Sequence, residues 1–140
     1  MQVFIGGAHN GKRAYVKKML AEQEKHNIDW VEGSLPWLGR ESIVVAGLEN
    51  WLRSCELSEE QAIHQIMQVL ENRDAIVILT DVGRGIVPMD AGQRQLRDTC
   101  GRLYQRIMAE ADEVTRIWYG IPQIIKKGEK FYEDLYKNRG

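Results

Sequence analysis

Gln2-Val3-Phe4-Ile5 runs directly into Gly6-Gly7-Ala8-His9-Asn10-Gly11-Lys12-Arg13, and the reading of this stretch decides the fold. A short apolar run feeds a glycine-rich turn, and helical spacing follows at once through Val16, Met19 and Leu20. That is strand, loop, helix. Gly6, Gly11 and Lys12 satisfy G-x-x-x-x-G-K. In that spacing backbone N–H groups wrap a triphosphate while the lysine reaches its β- and γ-phosphates. The helix start behind the loop adds partial positive charge. The competing reading is a glycine-rich turn carrying a solvated lysine. Where Ser or Thr would hold Mg²⁺ stands Arg13, a permanent cation with no acceptor lone pair. Phosphate binding tolerates that change better than phosphoryl transfer does.

Outward from the loop, Lys12 to about Lys25 reads as an amphipathic helix with a Lys- and Glu-rich outer face. Ile28 to Val31 reads as a short strand. Gly33 to Gly39 is a loop with Leu35, Trp37 and Leu38, either a lid, a subunit contact or a cap on the core. Ile43–Ala46 fits a buried parallel strand, and Leu48 to Cys55 turns helical. Ser58 and Gln61 form a capping box before a helix with Ala62, Ile63, Ile66, Met67 and Leu70 on one face. His64 falls off that stripe and reads as a surface residue. Ala75–Leu79 is the clearest strand and ends in Thr80-Asp81, expected to face the phosphate loop because ligands bind beyond the carboxyl ends of open α/β sheets. A glycine-hinged loop, Val82 to Pro88, leads to a long helix over Asp90–Ala111, then a strand over Val114–Tyr119. The tail from Lys126 places Phe131, Tyr132, Leu135 and Tyr136 at helical spacing. Strands alternating with helices behind a phosphate loop predict a three-layer α/β, phosphate-loop NTPase-like fold with a mostly parallel sheet. The expectation is a single nucleotide-binding domain over residues 1–140.

The totals narrow the partners. A net charge of −1 across 140 residues gives no reason to expect nucleic acid or an anionic membrane. No apolar run approaches the roughly 20 residues that span a bilayer. With a strand pattern at residue 2 and no leader-like segment, a cytoplasmic location is expected. Cys55 and Cys100 lack both a disulfide framework and metal-site spacing, and read as buried thiols.

The second half carries a more specific signal. It contains Asp81-Val-Gly-Arg-Gly-Ile-Val-Pro88, then Arg94-Gln-Leu-Arg-Asp-Thr-Cys-Gly101-Arg-Leu-Tyr-Gln105, then Ala111-Asp-Glu-Val114 and Gly120-Ile-Pro122. These resemble the adenosylcobinamide kinase/adenosylcobinamide-phosphate guanylyltransferase family of cobalamin biosynthesis. That family's patterns are similar to E-V-G-x-G-I-V-P, R-x-F-R-D-x-x-G-R-x-N-Q and A-D-E-V, with G-G-A-R-S-G-K-S at the loop.

The resemblance implies ATP or GTP with Mg²⁺ as cofactor, an adenosylcobinamide-type corrinoid as acceptor, and homo-oligomerisation. It also implies that Gly6 to Arg13 and Asp81 bind nucleotide. Lys12 would clamp the phosphates, and Asp81 would hold a magnesium-bound water, contact the nucleotide or merely cap its turn. Arg13 and Arg84 would neutralise charge on the γ-phosphoryl. Three departures stand against this. Arg13 replaces the magnesium-binding serine. Aligning Trp51 with the family's tryptophan puts Ala46 at an acidic position, with Glu49 one helical turn away. The chain is short where the family carries the H-x-x-x-R-P segment whose histidine takes GMP, and neither His26 nor His64 has that context. His9 stands inside the loop at a position the family fills with arginine. The kinase half is therefore expected and the guanylyltransferase half is not. The alternative is a non-catalytic relative that binds nucleotide or corrinoid and regulates or assembles with an active partner.

Overall fold

The computed structural model describes residues 1–25, 27–35, 42–71, 73–81, 90–128 and 130–131. His26, Trp37, Leu38, the 82–89 loop with Arg84, and Tyr132, Leu135 and Tyr136 lie outside them.

Five segments build a parallel sheet: β1 (Gln2–Gly6), β2 (Asp29–Glu32), β3 (Ser42–Ala46), β4 (Asp74–Thr80) and β5 (Glu113–Trp118). Two antiparallel strands, β6 (Ile121–Lys127) and β7 (Lys130–Phe131), extend one edge, giving the order β2-β3-β4-β1-β5-β6-β7. Alternate residues of each strand face opposite layers. Val3, Ile43, Val45, Val77 and Leu79 pack under α2 (Leu48–Arg53), α3 (Glu59–Leu70) and α4 (Ala91–Glu110). Phe4, Val44, Ala46, Ile76, Ile78 and Ile117 pack under Val16 and Leu20 of α1 (Lys12–Glu22). The fold is three-layer α/β, as the βα alternation predicts. Each fully buried Val, Leu or Ile contributes about 1.5–3 kcal/mol of transfer free energy. This is why continuous β-branched runs such as Ala75–Leu79 take the centre of the sheet.

Local chemistry sets the helix ends. Ser58 accepts from the Gln61 N–H at 3.2 Å and Gln61 returns the bond at 3.3 Å. Asp90 and Gln93 repeat the box on α4, at 2.8 and 3.1 Å. The first helix ends at Glu22, short of Lys25, where Glu24 turns left-handed at φ 55° and Lys25 N–H closes on the Leu20 carbonyl at 3.0 Å.

The tail departs from expectation. Lys126 and Phe131, read as part of a helically spaced tail, belong to strands. Tyr119 and Gly120, both at positive φ (50° and 74°), form a two-residue turn that reverses β5 into β6, with Trp118 opposite Ile121. Positive φ at both central residues matches the right-handed twist of the strands they join. Lys126 is then carried under α4, 5 % exposed, where its amine donates to the Ala109 and Met108 carbonyls at 2.8 and 3.1 Å. A cation on the last carbonyls of a helix satisfies orphan acceptors and opposes the negative dipole end. Leu35, from the loop read as a lid, a subunit contact or a cap on the core, is buried in the main core, and Cys55, read as a buried thiol, is only half-buried.

Candidate functional site

β1 and β4 lie side by side, yet the chain leaves them toward opposite faces, β1 into α1 and β4 toward α4. This is the reversal of winding at which open α/β sheets form a crevice. The Asp81 N–H donates to the Gly6 carbonyl at 2.9 Å, and Tyr104 of α4 donates its hydroxyl to the Thr80 carbonyl at 2.8 Å. The Thr80-Asp81 end of β4 is thereby fixed beside the start of the loop.

The loop is held from its other side by the β5–β6 turn. Gly120 N–H donates to the Asn10 carbonyl at 2.9 Å. A Cβ at Gly6 would stand 2.3 Å from the Ile117 carbonyl oxygen, so only glycine fits against β5 there. His9 (φ 64°) and Gly11 (φ 80°) are left-handed, and Gly11 is the N-cap of α1 with no side-chain cap. Alternation of handedness of this kind turns successive N–H groups inward, the geometry of an anion nest.

Lys12 is 3 % exposed, and its amine donates to the Gly7 carbonyl at 2.6 Å. Burial lowers its pKa, aided by the neighbouring Arg13, while Glu49 and Asp81 act to raise it. Both carboxylates therefore lie within electrostatic reach of the lysine, Glu49 from α2 and Asp81 from the end of β4. Among the described residues, Glu49 Oε2 is buried with no hydrogen-bond partner. Its charge reaches further: with burial the larger cause, it also helps raise the Cys100 thiol to about 11.

Arg13 behaves differently. It turns away from the loop to the end of β2, where its Nε and Nη2 reach the two Glu32 carboxylate oxygens at 2.7 and 3.1 Å. The Trp30 indole adds a bond to the same carboxylate at 3.0 Å. Hydrogen bonding from Arg13 holds the Glu32 carboxyl below its usual range. Among the described residues no three His, Cys, Asp or Glu side chains gather as a metal-binding group.

The structure thus gathers Gly6 to Lys12 and Asp81 at one crevice, while directing Arg13 toward β2. Sequence reasoning missed Glu32; only its place one step past the Ile28–Val31 strand pattern hinted at it. It also missed Gly120 as a brace for the loop. Of the helical arginines, Arg102 pairs bidentately with Glu59 at 2.7 and 2.5 Å, and Arg106 with Glu110 at 2.8 Å. These are intramolecular ties, as expected of a solvated face.

The sequence profile for the family described as cobinamide kinase / cobinamide phosphate guanyltransferase (CobU) matches residues 39–125. The match takes in β3, Glu49, Asp81 and the β5–β6 turn, and the phosphate loop lies before it. A relative in Salmonella typhimurium (strain LT2), named bifunctional adenosylcobalamin biosynthesis protein CobU, is 43% identical over 51 residues. That stretch is 36% of this chain and 28% of the relative, so the alignment spans little more than a quarter of the relative's length. With more than half of its residues matched by that profile, the chain belongs to the CobU family.

Proposed function

We propose that this protein binds a nucleoside triphosphate on the Gly6–Lys12 loop and acts as the kinase of cobalamin biosynthesis. It would phosphorylate an adenosylcobinamide-type corrinoid alcohol with ATP or GTP. One observation carries the reading: the Lys12 amine is held inside its own loop, with two carboxylates on neighbouring elements to balance it. Phosphoryl transfer asks for positioning and charge neutralisation more than covalent chemistry.

Mg²⁺ on a nucleotide needs one or two protein carboxylates, the rest of its shell being phosphates and water. Glu49, with a buried orphan oxygen, and Asp81 fit that demand and would hold the ion through water. The ion would supply charge neutralisation at the transferred phosphoryl. Membership of the family and the residue pattern further support cytoplasmic function and assembly of identical subunits, which light scattering tests directly. No described helix is long and apolar enough to cross a membrane.

Guanylyl transfer through a phosphoramidate needs a nucleophilic histidine. His9 and His64 are both exposed, and only His9 stands in the loop. We expect no covalent GMP. The decisive experiment titrates ATP and GTP with and without Mg²⁺, then follows phosphate transfer to corrinoid. Incubation with labelled GTP, Mg²⁺ and corrinoid completes it, and an acid-labile GMP adduct would overturn the kinase-only reading.

The second reading, a non-catalytic nucleotide- or corrinoid-binding partner of an active enzyme, is favoured by Arg13. At the position after Lys12 it puts a guanidinium, engaged by Glu32, where a Ser or Thr hydroxyl would meet the metal. Binding without turnover would establish it.

A further inference from the structure

The Thr80–Asp81 peptide is tied at both of its polar groups. Its carbonyl accepts from the Tyr104 hydroxyl at 2.8 Å, and its N–H donates to the Gly6 carbonyl at 2.9 Å. A trans peptide is planar, with carbonyl and N–H on opposite sides. Two such bonds fix the plane, and with it the direction in which Asp81 leaves the strand. One anchor belongs to the phosphate loop and the other to α4. That helix is itself held on either side of Tyr104. Glu59 accepts from the Thr99 hydroxyl at 2.7 Å and pairs with Arg102, while Lys126 closes the last turn on the Met108 and Ala109 carbonyls. Tyr104 is 5 % exposed and packs in the main core. Burial pushes its phenol up, and Cys100, Glu49 and Asp81 add to the shift, so the hydroxyl keeps the proton it donates.

We propose that Tyr104 is a positioning residue: by holding the Thr80–Asp81 peptide it aims the Asp81 carboxylate at the phosphate loop, and so sets how far Mg²⁺ tightens nucleotide binding. The inference rests on the reading of the loop as a triphosphate site with Asp81 at its metal. It adds the group outside the crevice on which that carboxylate depends. Two demands differ here. A metal-free triphosphate is held by Lys12 and the N–H groups of the loop, whereas Tyr104 reaches Thr80. Mg²⁺ asks for near-octahedral geometry, so a carboxylate that has lost its direction serves it poorly. Groups that orient a metal's ligands therefore change metal affinity while the ligands themselves stay in place. Asp81 needs such support more than Glu49 does, because Glu49 stands within α2 and Asp81 is the residue just past β4. Nor does spacing announce the bond. Tyr104 stands where the related pattern R-x-F-R-D-x-x-G-R-x-N-Q carries asparagine, a much shorter side chain.

Calorimetric titration of the whole chain with ATP and GTP over a series of Mg²⁺ concentrations tests this in the wild type, Tyr104→Phe, Asp81→Asn and the double variant. Phenylalanine keeps the ring in the core and removes only the hydroxyl. Tyr104→Phe is expected to bind metal-free nucleotide as the wild type does, yet to need roughly 10–100-fold more Mg²⁺ for the same tightening. The double variant should be no worse than Asp81→Asn alone, because both changes remove one arrangement. Amide exchange supplies a reading without metal: the Asp81 N–H should exchange faster in Tyr104→Phe while Val77 to Leu79 stay protected. An unchanged Mg²⁺ requirement, equal weakening with and without Mg²⁺, full additivity with Asp81→Asn or unchanged exchange at Asp81 overturns the proposal and leaves the loop and Asp81 standing. A wild-type chain that binds nucleotide without regard to Mg²⁺ takes Asp81 off the metal, and the inference falls with that reading. If neither nucleotide binds the wild type, the phosphate-loop reading falls and takes the inference with it.

Discussion

The first turn of α1 has two unlike flanks. Toward β2, β3 and β4 it meets charge: Glu32 on Arg13, then Glu49 and Asp81 around Lys12. Toward the β5–β6 turn it meets backbone and an open cavity lined by Ala14, Tyr15 and Gly120. Both flanks border the same loop and first turn, but they work by different physics. On the charged flank, position is set by ion pairs whose strength depends on burial. On the other, it is set by glycine, because chain must pass against chain with no room for a side chain. The difference teaches that the phosphate loop is braced by sterics from β5 and tuned by electrostatics from the β2–β4 side. Substitutions on the two flanks should therefore fail in different ways.

The largest effect is expected at the point where the flanks meet. Lys12→Ala should weaken triphosphate binding by about 1.5–3 kcal/mol, the range for hydrogen bonds to charged groups. Calorimetry reads this directly, and an unchanged affinity would place the triphosphate elsewhere. On the steric flank, Gly6→Ala drives a methyl group to 2.3 Å from the Ile117 carbonyl, which is backbone and must move. Overpacking of this kind costs about 1–3 kcal/mol. A lowered melting temperature together with lost binding is expected; a wild-type melt would show that the β5 brace is looser than drawn. Gly120→Ala separates the two demands, since a Cβ there meets nothing within 4 Å yet must hold φ at 74°. Its cost should be smaller, about 1 kcal/mol, and purely conformational.

How much of this was legible follows the same division. The parallel sheet was open to reading because fully buried strands are continuous apolar runs, and Ile43–Ala46 and Ala75–Leu79 stand out as such. The loop was legible because its glycines and lysine sit at fixed spacing. The β5–β6 hairpin was not. Pro122 argues against a strand, and Ile121, Pro122 and Gln123 are exposed, so no alternation marks them. Pro122 is admitted because β6 has β5 on one side only at that point, β7 joining at Lys126 and Lys127. Lys126 shows the same limit. A lysine in a charged tail gives no sign that it will be buried as the cap of a helix seventeen residues back. The partnership of Arg13 with Glu32 was equally hidden, because ion pairs between elements leave no periodicity.

Glu49 offers a finer test of the charged flank. Replacing it with Gln removes one of two carboxylates within electrostatic reach of Lys12. Without Mg²⁺ the triphosphate should then bind slightly tighter, since less negative charge opposes it. With Mg²⁺ it should bind more weakly, because the ion loses an oxygen partner. The crossing of signs is the readout, and parallel shifts under both conditions would remove Glu49 from the metal.

The smallest effect concerns the Arg13–Glu32 pair. Both side chains are close to half exposed (40 and 46 %), so water screens them and their contribution is at most about 1 kcal/mol. The sign is nevertheless fixed. Hydrogen bonding from Arg13 lowers the folded pKa of Glu32, so the folded state holds fewer protons than the unfolded chain as the carboxyl titrates. The pair's stabilisation is complete above the ordinary carboxylate pKa of about 4.3 and disappears as pH falls through the lowered value. Arg13→Ser should flatten that acid limb in a series of melts. The same variant restores the hydroxyl that a nucleotide's Mg²⁺ prefers, so its triphosphate affinity should become more dependent on the metal. If Arg13 instead leaves Glu32 to meet the triphosphate, then Glu32→Gln, which frees it in advance, should tighten binding up to about fivefold, the most a pair of this strength can withhold. No tightening would mean that Arg13 stays with β2 throughout, and that the charged flank acts on nucleotide through Lys12, Glu49 and Asp81 alone.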